Sequence, residues 1–378
     1  MIIYWSMLLW VPFMYIIYMA SNKSKKALAG DVGTASTTKN NKNFSLLFSV
    51  LIFGYFTFWI GMRKYIFDTS LYIAGFDSLP TDFATAWSQI DWEGKSPGWD
   101  IFNSFFKCFI SQDYTWWLMT IAVISMICIM QPLRKYSVDF FFSAFIFVAL
   151  TLFTWPMNGM RQFVCVAVLF LCCDFIKDGK FFRFAVATLL LMSVHSTAVL
   201  MIPIYFVAKS KPWRMRIFIF IIIIILVCIF AEPLFDSLDE NILTGTAYEG
   251  ATDQFEEDDG VNPLRALFAA VFPIVACVRR KNLEEHYESD PLLPIAVNMS
   301  LVAAALNVVG VFTSGILIGR LPIYCSVYNM LLIPYLLKYG FNDKDRTIAR
   351  LVAVAMLMVM FWVECPGYYH SDLTGWIE

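Results

Sequence analysis

Long apolar runs alternate with short polar breaks along almost the whole chain. Read as membrane segments, they fall at 2–20, 44–62, 114–130, 140–155, 161–176, 217–231, 264–278, 292–316, 321–337 and 350–364. The pattern between Phe184 and Ala208 is different. This run is apolar apart from Ser193, His195, Ser196 and Thr197, with Lys177, Lys180 and Arg183 before it and Lys209, Lys211, Arg214 and Arg216 after it. A full span needs ~20 residues at ~1.5 Å each, so the run is too short to cross twice. Cationic residues gather on the cytoplasmic side of membranes. Basic clusters at both ends therefore predict a hairpin of two half-helices, entering and leaving by one face, with His195 at the tip. Polar backbone at membrane depth is tolerated only where it faces protein or a water-filled cavity. The hairpin tip is for that reason a candidate site.

Composition agrees with the pattern. Of 378 residues, 59% are hydrophobic and 15% charged, against ~25% charged in an ordinary soluble domain; the mean hydropathy is +0.64. The expectation is an all-α polytopic membrane protein: one integral-membrane domain over 1–378, with about eleven membrane segments counting the hairpin. With the N-terminus outside, most of the 28 basic residues fall on inner loops. Only Arg63, Lys64, Lys95, Lys107, Arg161, Arg265 and Arg320 are left outside. Making the hairpin a single span would move the later basic clusters outward, so the charge pattern supports the hairpin independently of its length. The segment 21–43 is rich in Lys, Ser, Thr and Asn and reads as a flexible cytoplasmic linker.

The elaborated loops are extracytoplasmic. The 63–113 loop carries Asp68, Asp77, Asp82, Asp91, Glu93, Asp100 and Asp113 among Trp87, Trp92 and Trp99, and the 232–262 loop contains Glu256-Glu257-Asp258-Asp259. Residues Ile101 to Ile110 predict an amphipathic helix at the interface. Nine scattered cysteines without C-x-x-C spacing read as small hydrophobes, not as metal ligands or disulfides. There is no Walker motif, Rossmann glycine fingerprint or zinc signature. The sequence thus predicts neither a metal nor a cofactor, no nucleic-acid partner, and no chemistry on cytosolic nucleotides.

Two residue types carry the candidate chemistry. Arginines on an acidic outer face can snorkel to lipid headgroups or act as permanently charged forks for a phosphate-bearing lipid. A lone histidine such as His195 is commonly structural, but at the tip of a membrane hairpin a proton-transfer role is equally well supported. His286 and His370 fall in a charged loop and the tail and read as solvated surface.

The run N-G-M-R-Q-F at 158–163, the turn K-D-G-K-F-F at 177–182 and V-H-S-T-A-V-L at 194–200 resemble the EpsG family of bacterial exopolysaccharide proteins, related in role to Wzy-type polymerases. So do G-R-L-P-I-Y at 319–324 with I-P-Y-L-L at 333–337, Arg63…Asp68…Tyr72, and Ser96-Pro97-Gly98-Trp99. Val194 stands where the family has an aromatic, the glycine usual before Asp68 is missing, and Ser96 replaces an acid, leaving Glu93 or Asp91 as substitutes. The resemblance implies polymerisation of polyprenyl-diphosphate-linked oligosaccharide repeats on the outer face of the bacterial cytoplasmic membrane, without metal. A flippase and a chain-length regulator would be the partner machinery, and membrane lipids the surroundings. It implies a bundle with an outward-facing cavity capped by the 63–113 loop and floored by the hairpin. Arg161 and Arg320 would hold the diphosphate, and His195 would activate the acceptor or hydrogen-bond phosphate. Arg63 would be a second phosphate contact, Asp68 or Glu93 an alternative base, and Tyr72, Gln162 and Tyr324 would line the substrate site. A polysaccharide ligase, a glycosyltransferase using polyprenyl-phosphate sugars, a membrane O-acyltransferase and a glycan or lipid transporter are the alternatives.

Overall fold

A computed structural model describes residues 2–28, 44–94, 96–223, 226, 260–313, 318–371 and 374–377. Chain order gives α1 (Ile2–Leu28), α2 (Leu46–Gly61), α3 (Thr69–Ser78), α4 (Phe83–Ser88), α5 (Pro97–Phe109), α6 (Tyr114–Tyr136) and α7 (Phe140–Ala149). A 3₁₀ turn (Leu152–Met157) leads to α8 (Met160–Leu171), α9 (Cys173–Lys177) and α10 (Phe181–Met192). A second 3₁₀ turn (Ser196–Leu200) leads to α11 (Met201–Lys209). Then follow α12 (Pro263–Val278), α13 (Arg280–Glu284), α14 (Leu292–Phe312), a 3₁₀ turn (Ile318–Arg320), α15 (Ile323–Ser326), α16 (Asn329–Tyr339) and α17 (Asp343–Glu364). A two-stranded antiparallel ribbon, β1 (His370–Ser371) with β2 (Trp376–Ile377), lies near the C-terminus.

The protein is an all-α membrane protein. Among the described residues, four helices are long and apolar enough to cross a membrane: α1 over Ile2–Asn22, α6, α14 and α17. Local chemistry sets the starts. Asp113 accepts from Thr115 N, Asp139 from Phe142 N, and Asn262 from Leu264 N just before Pro263 at the first helical position.

The apolar runs and the helices differ in several places. The 140–155 run breaks at Thr151, which adopts a left-handed φ of 52°, and continues as a 3₁₀ turn containing Pro156. The 161–176 run ends as a helix at Leu171 and restarts as α9. The 321–337 run divides into α15 and α16. In contrast, α6 runs on past 130 to Tyr136. Helix α1 continues to Leu28, into the stretch expected to be linker; the rest of that linker, the 232–262 loop up to 259, and residues 224, 225 and 227–231 of the 217–231 run lie outside the described residues.

The hairpin is two short helices folded back on each other. α10 packs on α11, and the two ends meet where Lys209 Nζ donates to Lys177 O at 2.7 Å. The 63–113 loop is itself helical. α5 turns Trp99, Asn103, Ser104, Phe106 and Lys107 inward and leaves Phe105 and Phe109 exposed. Lys107 Nζ closes the α3 C-terminus by donating to Phe76 O and Asp77 O at 2.8 and 2.6 Å, and Trp117 Nε1 donates to Asn103 at 3.0 Å. α8 packs between α6 and the hairpin, with α15 behind it.

Basic side chains collect at one end of the bundle. Lys135, Tyr136 and Lys177 surround Asp174, and Arg350 pairs with Asp139. Burial works against the Asp174 charge, but hydrogen bonds from Lys135, Tyr136 and Lys177 outweigh it and bring its pKa down to about 2.

Candidate active site at the start of α8 and the hairpin tip

The site is built on the first turn of α8. Asn158-Gly159 ends the preceding 3₁₀ turn, so Arg161 and Gln162 are neighbours in a turn whose backbone N–H groups are not committed to helix bonds. Arg161 Nη1 donates to Ser96 Oγ at 2.8 Å, its guanidinium lies 5.7 Å from the Tyr72 ring centre, and its buried Nε has no hydrogen-bond partner among the described residues. Gln162 Nε2 donates to Arg320 O at 3.0 Å and so fixes the 3₁₀ turn that carries the second arginine. The positive end of the α8 dipole adds to both charges.

His195 sits in extended backbone between α10 and the next 3₁₀ turn, its N–H bonded to Leu191 O at 2.9 Å. Arg161 and Arg320 are the charged neighbours acting on its half-buried imidazole. Among the described residues the ring makes no hydrogen bond to protein. Two residues on, the hydroxyls of Thr197 and Tyr324 share a hydrogen bond of 3.1 Å, tying the hairpin to α15.

The 63–113 loop docks on this tip. Gly98 N donates to Ser193 O at 2.8 Å. A Cβ on Gly98 would fall 2.3 Å from Ser193 Oγ and 3.1 Å from the Ser193 carbonyl carbon, so a larger residue would have to turn that hydroxyl away and push the Ser193 backbone back by a few tenths of an ångström. Helix α5 thus begins directly over His195's neighbours, with Ser96 on Arg161.

The structure therefore brings Arg161, Gln162, His195, Arg320, Tyr324 and Tyr72 together. The other three candidates are placed elsewhere. Arg63 is 1% exposed and spends its guanidinium on Ile60 O at 2.5 Å, Thr69 Oγ1 at 3.0 Å and Met160 Sδ at 3.5 Å. Thr69 Oγ1 in turn donates to Met157 O, so this network braces the turn in front of α8. Burial lowers the Arg63 pKa to about 10, which still leaves it charged at neutral pH. Asp68 is the residue before α3, and Glu93 is exposed on the loop ahead of α5. The acid that senses Arg161 is Asp100, in the first turn of α5. Burial raises its pKa, opposed by the Arg161 charge. Asp100 and Ser96 share one face of that turn at i, i+4 spacing, the signal by which the sequence could have singled out Asp100. Among the described residues no group of His, Cys, Asp and Glu could hold a metal ion.

The model of the EpsG family matches residues 34–372. No curated protein and no solved structure matches the chain.

Proposed function

The chain belongs to the EpsG family, and on that premise we propose that it polymerises polyprenyl-diphosphate-linked oligosaccharide repeats into an exopolysaccharide on the outer face of the cytoplasmic membrane. A sugar hydroxyl of one lipid-linked repeat attacks the anomeric carbon of the growing glycan. The new glycosidic C–O bond forms as the bond to the diphosphate breaks, the carrier leaves with that electron pair, and the hydroxyl proton passes to a base. A diphosphate is already a good leaving group, so fixed cations can supply much of the stabilisation. The observation that carries this reading is the convergence of Arg161 and Arg320 on one imidazole that, among the described residues, has no protein hydrogen bond.

Arg161, with Nε unpartnered, and Arg320 take the leaving diphosphate. His195 accepts the hydroxyl proton or hydrogen-bonds the departing phosphate, with Asp100 the second candidate base. Tyr72 and Tyr324 shape the walls, and Gln162 positions Arg320. Arg63 serves by bracing the start of α8.

The test is turnover of a purified lipid-linked repeat by protein in proteoliposomes. Arg161→Ala is expected to abolish polymer, and Arg161→Lys to rescue poorly, because a point charge lacks the guanidinium's fork. Wild-type turnover by well-folded Arg161→Ala would refute the assignment.

A further inference from the structure

On the other side of α15 lies a second polar cavity, of about 60 Å³, that the reaction above does not use. Arg265, Asn307, Asn329 and Ser326 line it together with Trp155 and Phe272. Trp155 belongs to both neighbourhoods: it lies 5.9 Å from the Arg265 guanidinium and packs against Gly159, beside Gln162. Asn307 and Asn329 are 3% and 4% exposed, and their side-chain oxygens have no hydrogen-bond partner among the described residues. Asn307 Nδ2 donates to Ala303 O at 2.8 Å, so it is the Asn307 oxygen that stays unmatched, whereas the Asn329 amide can be turned to offer N–H instead; a buried unmatched polar atom is costly. The Arg265 guanidinium makes no hydrogen bond or ion pair among the described residues; Glu364 is the acid whose charge reaches it.

An apolar groove adjoins the cavity at Phe272. Phe272 lines both, and the groove, of about 430 Å³, continues between α12, α16 and α17. On each helix one stripe runs from the polar end into the groove: Arg265, Phe272 and Val275 on α12; Asn329, Ile333 and Leu336 on α16; Met360, Met356 and Val352 on α17. A cationic head pocket beside a mainly apolar groove, which Arg279 and Asp345 also line, matches an anionic lipid with one chain. The pocket is too small for a sugar repeat. We propose that it binds the sugar-free polyprenyl diphosphate released by the reaction, head on Arg265 and chain in the α12–α16–α17 groove. This rests on the polymerase reading only for the origin of the lipid.

The probe is a diazirine-bearing polyprenyl diphosphate added to the full-length protein in nanodiscs, with cross-linked peptides mapped by mass spectrometry. Labelling is expected on α12, α16 and α17, displaced by unlabelled polyprenyl diphosphate and not by phosphatidylglycerol. Arg265→Ala should weaken it about 10- to 100-fold, the range for loss of a charged hydrogen bond. Val352→Trp, at a groove-lining position that is 53% exposed, should block the groove and weaken labelling while folding is kept. His195→Ala should label like the wild type, so a failed polymerase assignment would leave this result unchanged. Equal displacement by phosphatidylglycerol would make the groove an ordinary lipid contact. Labelling that survives both Arg265→Ala and Val352→Trp in folded protein would overturn the site.

Discussion

Arg63 and Arg161 look alike in the sequence, each an arginine at the edge of an apolar run, yet they have opposite surroundings. Arg63 has its donors spent within the protein, whereas Arg161 keeps Nε free next to an imidazole. Arg63→Ala leaves Ile60 O and Thr69 Oγ1 short of a donor in a buried site, at ~1–3 kcal/mol for each unsatisfied group. It should therefore lower thermal stability and abundance, with Lys a poor substitute; an unchanged melting temperature would contradict the bracing role. His195 separates two chemistries. His195→Ala should keep the fold and lower turnover about 10²- to 10⁴-fold if the imidazole moves a proton. His195→Gln keeps a hydrogen bond but cannot shuttle a proton, so activity in Gln but not in Ala marks phosphate binding, and equal loss marks a base. Wild-type turnover by His195→Ala would end both. The candidate arginines and the histidine were legible as residues. Their pairing was not, because it depends on Gln162 holding Arg320 O from a distant part of the chain.

At the scale of elements, the hairpin and the loop over it are read by their junction. Gly98→Ala forces a Cβ into Ser193, and the backbone contact at 3.1 Å cannot be relieved by rotating a side chain. Misplacement by an ångström can cost up to about 100-fold in rate. Gly98→Ala should therefore reduce turnover in a folded protein, and Ser193→Ala should restore only part of it; full activity in Gly98→Ala would show the dock to be dispensable. The hairpin's two ends should face the same compartment. Gly179 has a positive φ of 72° and tolerates cysteine poorly, so Lys180→Cys and Ser210→Cys are the better probes. In a protein freed of its nine native cysteines, neither should react with an impermeant thiol reagent added outside. Strong labelling of one and not the other would exclude the hairpin topology.

Across the whole molecule, charge is sorted to the ends of the bundle. Asp174 is the acid that holds Lys135 and Lys177 together at the basic end. Its folded pKa of about 2 lies below the ordinary 3.8, so its contribution is complete above about pH 4 and is lost as pH falls towards 2. Being partly exposed, the cluster contributes modestly. Asp174→Asn should flatten the part of the acid-side decline in melting temperature that this group causes. An identical pH profile in the variant would remove Asp174 from that account.

Local pattern was enough for the fold class, the fold-back between two basic clusters and the residue types of the site, since hydrophobic length and cationic flanks act through the bilayer and need no tertiary partner. The helix breaks at Thr151 and before α16 were hidden, because an apolar run reads the same whether it is one helix or two. Tertiary structure alone decided that Arg161 and Arg320 both act on His195 and that Asp100 lies within reach of the Arg161 charge. It alone placed the Arg265 pocket at the head of an apolar groove. Those outcomes turn on where separate helices bury their polar ends, and a buried donor or acceptor is specified by the partner that satisfies it, which lies far away in the chain.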